Sequence, residues 1–76
     1  MKLYAGGYLP FYLPGRKSSL EISLSEPAPL REILAQVGIP LAEAHLAAVN
    51  GELVDIETAI VRDEDRVRVF SAVNGG

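Results

Sequence analysis

The chain has 76 residues, of which 49% are hydrophobic and 22% charged, a formal net charge of −3 and no cysteine. That length makes one domain, which buries only about 60% of the surface its unfolded chain exposes, and the composition is globular rather than disordered. The missing cysteine excludes disulfides, thiol nucleophiles and thiolate metal sites; a lone adjacent basic pair, Arg16-Lys17, argues against phosphate-driven nucleic-acid binding; and no stretch approaches the ~20 apolar residues of a membrane span.

The N-terminus carries one lysine but neither a long apolar run nor a small-residue cleavage site, so the expectation is a cytoplasmic protein without a signal peptide. The first segment, KLYAGGYLPFYLP, is interrupted by Gly6, Gly7, Pro10 and Pro14. Proline cannot donate to a sheet ladder, so one long central strand is ruled out. The reading is a strand around Lys2–Ala5, a break at Gly6-Gly7, then irregular chain carrying Tyr8, Leu9, Phe11 and Tyr12. The aromatic residues Tyr4, Tyr8, Phe11 and Tyr12 read most simply as bulky filling for a small core. Ser18–Leu24 alternates, with Leu20, Ile22 and Leu24 on one side and Ser19, Glu21 and Ser23 on the other, the period of a half-buried strand.

In PLREILAQVGIP, Leu30, Ile33, Leu34 and Val37 fall on one stripe of a helix. Pro29 suits the first helical position. Gly38 suits the left-handed residue after the last turn, with Ile39 folding back and Pro40 blocking continuation. A helical turn near Leu41–Ala44 precedes a strand from about Leu46 to Val49. Asn50-Gly51 accepts two positive φ angles and so makes a type I′ hairpin turn, nothing more, with Leu53-Val54 as the return strand. Ile56–Ile60 reads as a turn or short helix, and Asp63-Glu64-Asp65 as a solvated acidic turn rather than a cation site. In the last strand, Arg66–Phe70, Val67 and Val69 point inward while Arg66 and Arg68 point outward, and Phe70 falls on the outward face or near the sheet edge. His45 is the single histidine, without the His or Cys partners that catalysis or metal binding requires. A single amphipathic helix with this strand order implies an α+β domain: a mixed sheet of four to five strands packed on one main helix.

With that order, LREILAQVGIP, AAVNGELV and DEDRVRVFSAVNGG resemble the ubiquitin-like β-grasp sulfur carriers of the MoaD/ThiS family. The resemblance covers nearly the whole chain. YAGGYLPFYLPGRKSSLEI and VGIPLAEAHLAAVNGELV also look like the ubiquitin-like module fused to bacterial PIN-type RNase domains. Where molybdopterin-type carriers commonly have prolines after the last strand, this chain has Ser71 and Ala72. Where the family often has glycine in the acidic turn, it has Glu64, a cost of roughly 1 kcal/mol if that position needs a positive φ.

The family resemblance implies a β-grasp domain over residues 1–71 and a flexible di-glycine tail over 72–76. It implies a carrier rather than an enzyme, or the small subunit of a synthase complex. By the same resemblance, an ATP-using adenylating enzyme of the MoeB/ThiF type is expected to activate the Gly76 carboxylate. Conversion to a thiocarboxylate follows, for transfer through a synthase large subunit or another sulfur-acceptor enzyme, with a molybdopterin- or tungstopterin-like precursor favoured over thiamin. It further implies that no cofactor or metal is bound, with ATP used by the partner, and the expectation for the free protein is a monomer. Sulfur rides on the last carbon, so no cysteine is needed. Gly75, lacking a Cβ, threads a narrow channel beside Gly76. Phe70 is the expected apolar anchor for a partner, with Val73 behind it and Arg66 and Arg68 steering or pairing with carboxylates. Two alternatives share the fold: a ubiquitin-like modifier joined to lysines through Gly76, and a non-covalent interaction module.

Overall fold

The computed structural model describes residues 1–72. Strand β1 (Lys2–Gly6) joins β2 (Ser19–Glu21), β4 (Leu46–Val49), β5 (Glu52–Val54) and β7 (Arg66–Phe70) in a five-stranded sheet of order β2-β1-β7-β4-β5, with β7 at its centre. The β1–β7 pair is parallel and the other pairs are antiparallel, so the sheet is mixed as expected. Helix α1 (Leu30–Val37) covers one face. Leu30, Ile33 and Leu34 are buried on it, in one core with Leu3, Ala5, Ala47, Val67 and Val69 from the sheet. Leu9, Leu13 and Ile39 complete that core from the loops.

The helix ends where the sequence places its end. Gly38 takes φ +95°, its N–H donates to the Ala35 carbonyl, and the Ile39 N–H reaches back 2.9 Å to the Leu34 carbonyl. Paired bonds of this kind satisfy the last orphan carbonyls and fold the next apolar side chain onto the helix; Ile39 is accordingly 1% exposed. The start differs from expectation. Pro29 precedes the helix with extended ψ instead of opening it. It belongs to a two-residue strand, β3 (Ala28–Pro29), which pairs with β6 (Ile60–Val61) in a separate small sheet. The Ala59 carbonyl accepts the Leu30 N–H at 2.9 Å, so a neighbouring backbone takes the place of a capping side chain.

Two other expectations are corrected, and the turn expected over Ile56–Ile60 is present. The strand over Ser18–Leu24 shrinks to β2, because β1 gives it no partner beyond Met1; the Ile22 N–H bonds Met1 and the Leu24 N–H bonds the Asp63 carboxylate. Burial still alternates through Leu20, Ile22 and Leu24. Ile56–Ile60 is a turn closed by Asp55, whose carbonyl accepts from Thr58 and Ala59 and whose carboxylate accepts from Glu57, and Ile60 then enters β6. Of the aromatic residues in the first segment, Tyr8 and Phe11 are not core, at 73% and 62% exposed, whereas Tyr12 is half-buried and packs against the core. Leu9, which opens the first 3-10 turn, and Leu13, which joins it to the second, take the buried positions instead.

The β4–β5 hairpin turns at Asn50 and Gly51, with φ of 52° and 88°, the conformation of a type I′ turn. Asn50 does more than turn. Its side-chain amide donates to the buried Asp65 carboxylate at 2.9 Å and accepts from the Arg66 N–H at 2.9 Å. Asp65 also accepts from the Arg62 N–H, so one carboxylate ties the hairpin to the acidic turn. Among described non-glycine residues only Arg16 and Asn50 have positive φ, so Glu64 carries no left-handed strain.

Replacing Gly38 by alanine tests the helix terminus. The added Cβ lies 3.2 Å from the Tyr12 carbonyl oxygen and forces a left-handed conformation on an L-residue. The expected loss is about 1–2 kcal/mol in urea unfolding, with the slope of the transition unchanged.

Candidate functional site

The sheet buries one face and shows the other. Alternation along each strand, combined with the register, assembles the outer face in rows. Lys2 sits between Glu21 and Arg66. Tyr4, Arg68, Ala48 and Leu53 form the next row, and Gly6, Phe70 and Leu46 the last. Phe70, Leu46 and Leu53 are 38%, 46% and 73% exposed. They form an apolar strip across β7, β4 and β5.

Basic side chains flank that strip. The Arg68 guanidinium lies 5.4 Å from the Tyr4 ring centroid and the Lys2 ammonium 5.8 Å from it. Both distances lie within cation–π range, which orients these long side chains on the face. Lys2, Arg66 and Arg68 give the face a positive character on a chain whose formal charge is −3.

The structure thus brings together Phe70, Arg66 and Arg68, as the sequence placed them. Val73, Gly75 and Gly76 lie outside the described residues. Leu46, Leu53 and Tyr4 were not legible as members. Only the pairing of β4 with β7 shows that Leu46 faces outward opposite Phe70, while Tyr4 had been read as core.

The end of β7 is built around close approach. A Cβ on Gly6 would lie 2.5 Å from Phe70 Cδ1, so the ring rests where only glycine leaves room. The Phe70 carbonyl accepts the His45 N–H at 2.8 Å. One residue on, the Ser71 hydroxyl accepts the Tyr8 N–H at 2.9 Å. Beside it a groove of about 340 Å³ is lined by Tyr8, Leu9, Tyr12, Glu43, Ser71 and Ala72. His45 is exposed, with its backbone rather than its ring engaged. Among the described residues no three His, Cys, Asp or Glu side chains converge as metal ligands, and no helix is long and apolar enough to cross a membrane.

A mixed sheet grasping one helix, with the last strand central and parallel to the first, defines a β-grasp, ubiquitin-like protein. The model of the ThiS family matches residues 11–76. The chain is 39% identical over 64 residues to the sulfur carrier protein TtuB of Thermus thermophilus, covering 84% of this chain and 91% of that relative. The chain belongs to the ThiS family of sulfur carriers. Proteins of this family are small carriers that work with activating enzymes and sulfur-acceptor enzymes.

In the acidic turn, Asp63 has a depressed pKa, first because it accepts the Leu24 N–H and second because the Met1 ammonium lies 3.5 Å away. A carboxylate with a lower native than unfolded pKa stabilises the fold above its unfolded pKa, and that contribution disappears as pH falls through the native value. The stability difference between wild type and Asp63→Asn is therefore expected to be constant at neutral pH and to narrow below about pH 4. Urea titrations at stepped pH read it; a difference independent of pH would remove Asp63 from the acid response.

Proposed function

We propose that the protein carries sulfur on its own C-terminal carboxylate, with residues 72–76 as the delivering arm and the outer sheet face as the grip. A free carboxylate is a poor acyl donor, so activation comes first. A Gly76 carboxylate oxygen attacks the α-phosphorus of ATP held by an adenylating partner, and pyrophosphate leaves. Hydrosulfide, or a sulfur donor of equivalent nucleophilicity, then attacks the acyl carbon. AMP departs, a proton is released, and a thiocarboxylate remains. The catalytic groups for both steps belong to the partner; this chain supplies the acyl group and the docking surface.

The observation that supports this reading most is that the family match runs through Gly76. The ladder is consistent with it, since β7 is paired as far as Phe70 and residues 72–76 follow Ser71. Five residues reach at most ~17 Å when extended, enough to carry a carboxylate from a docked domain into a neighbouring active site. Glycine at the last two positions lets that arm enter a channel too narrow for side chains. The pterin acceptor rests on the resemblance alone. Family and relative carry the chain to sulfur transfer in general, and the proposal stands at that level.

The test is the intact mass of the protein after incubation with ATP, an activating enzyme of this family and sulfide. The expected result is replacement of one oxygen by sulfur, lost when Gly76 is deleted although the domain stays folded. No mass change, with an activating enzyme competent on another carrier, would overturn the reading. An isopeptide-linked conjugate would assign the chain to the modifiers.

The grip has its own test. Leu53→Ala, at a position 73% exposed, is expected to leave stability within about 0.5 kcal/mol. Phe70→Ala is expected to weaken binding to the activating enzyme by about 2 kcal/mol, and Leu53→Ala by less. Calorimetric titration reads both; unchanged affinity in Phe70→Ala would move the docking surface elsewhere.

A further inference from the structure

We propose that Ser71 is a positioning residue, whose hydroxyl is latched to the Tyr8 amide across Gly7 and so sets where the arm begins and how far the terminal carboxylate reaches. The proposal presupposes activation at Gly76. Its basis is the way the central strands end. Phe70 is the last residue of β7 with ladder partners, Gly6 on one side and Leu46 on the other. At Gly7 the first strand turns away with φ +64°, so no strand remains beside Ser71.

A side chain takes over from the ladder at that point. Ser71 is 5% exposed, and its Oγ accepts the Tyr8 N–H at 2.9 Å, joining segments 63 residues apart. Gly7 is shaped to this contact twice over. Its φ favours glycine, and a Cβ there would overlap the Ser71 hydroxyl. The bond therefore extends the fixed part of the chain by one residue past the sheet. It leaves residues 72–76 as the arm. Opening it adds one residue, or up to ~3.4 Å, to the reach. A misplacement of about 1 Å at a reacting centre costs on the order of 100-fold in rate.

This makes a compensation test possible, using pyrophosphate release by an activating enzyme of this family. Deleting Asn74 keeps both glycines but shortens the arm, and is expected to lower kcat about 100-fold. In the Ser71→Ala background the opened latch returns the lost length, so the same deletion is expected to recover at least about 10-fold. Ser71→Ala alone is expected to lower kcat about 3-fold with KM unchanged, because the grip on the sheet face is untouched. Ser71→Thr keeps the acceptor and should recover nothing for the shortened arm. Gly7→Ala displaces the same hydroxyl from the other side and provides a second way to open the latch. Recovery in either open-latch background, absent with threonine, supports the proposal. Failure of both to recover the shortened chain overturns it. Absence of adenylation in the wild-type protein instead removes the carboxylate reading on which the proposal rests.

Discussion

The parallel pairing of β1 with β7 is the contact on which the rest of the molecule hangs. Leu3 opposite Val67 and Ala5 opposite Val69 are at most 5% exposed, and the helix stripe packs beneath them. The pair joins the two ends of the sequence, so it closes nearly the whole chain into a loop. The entropy of that closure must be recovered by the burial it creates. Strands β2, β4 and β5 add to its two flanks, and the cap of α1 comes from the residue preceding β6. A substitution that loosens this pair loosens every element together.

The same pairing divides the molecule into a face that holds it together and a face that is displayed. Alternation sends valines inward along β7 and Arg66, Arg68 and Phe70 outward. On the outer face, Gly6 gives the Phe70 ring a bare backbone to lie against, and Tyr4 gives the arginine and lysine a ring to stack on. The displayed face is therefore arranged rather than merely solvated. An apolar strip flanked by positive charge suits a partner whose own docking surface is apolar and acidic.

The strand that organises the fold is also the strand that leads to the C-terminus. Strand β7 lies at the middle of the body that a partner would recognise and runs toward the last residues of the chain. Gly7, Tyr8 and Ser71, far apart in sequence and adjacent in space, carry the contacts of β7 one residue past its ladder.

Local chemistry made much of this legible beforehand. The helix stripe, its Gly38 terminus, the Asn50-Gly51 hairpin and the inward valines of Arg66–Phe70 each follow from interactions within a few residues, and so they could be read from sequence. The outward position of Phe70, Arg66 and Arg68 came from the same alternation. What only the tertiary structure decided depends on contacts between distant segments. The β3–β6 pair is too short to show a period. The helix cap is another segment's carbonyl. Tyr8 and Phe11 lie at the surface because Leu9 between them and Leu13 after them fill the core. Leu46 and Tyr4 join the outer face only through cross-strand register, and the Ser71 hydroxyl finds its partner only because two strands that begin and end the chain lie side by side.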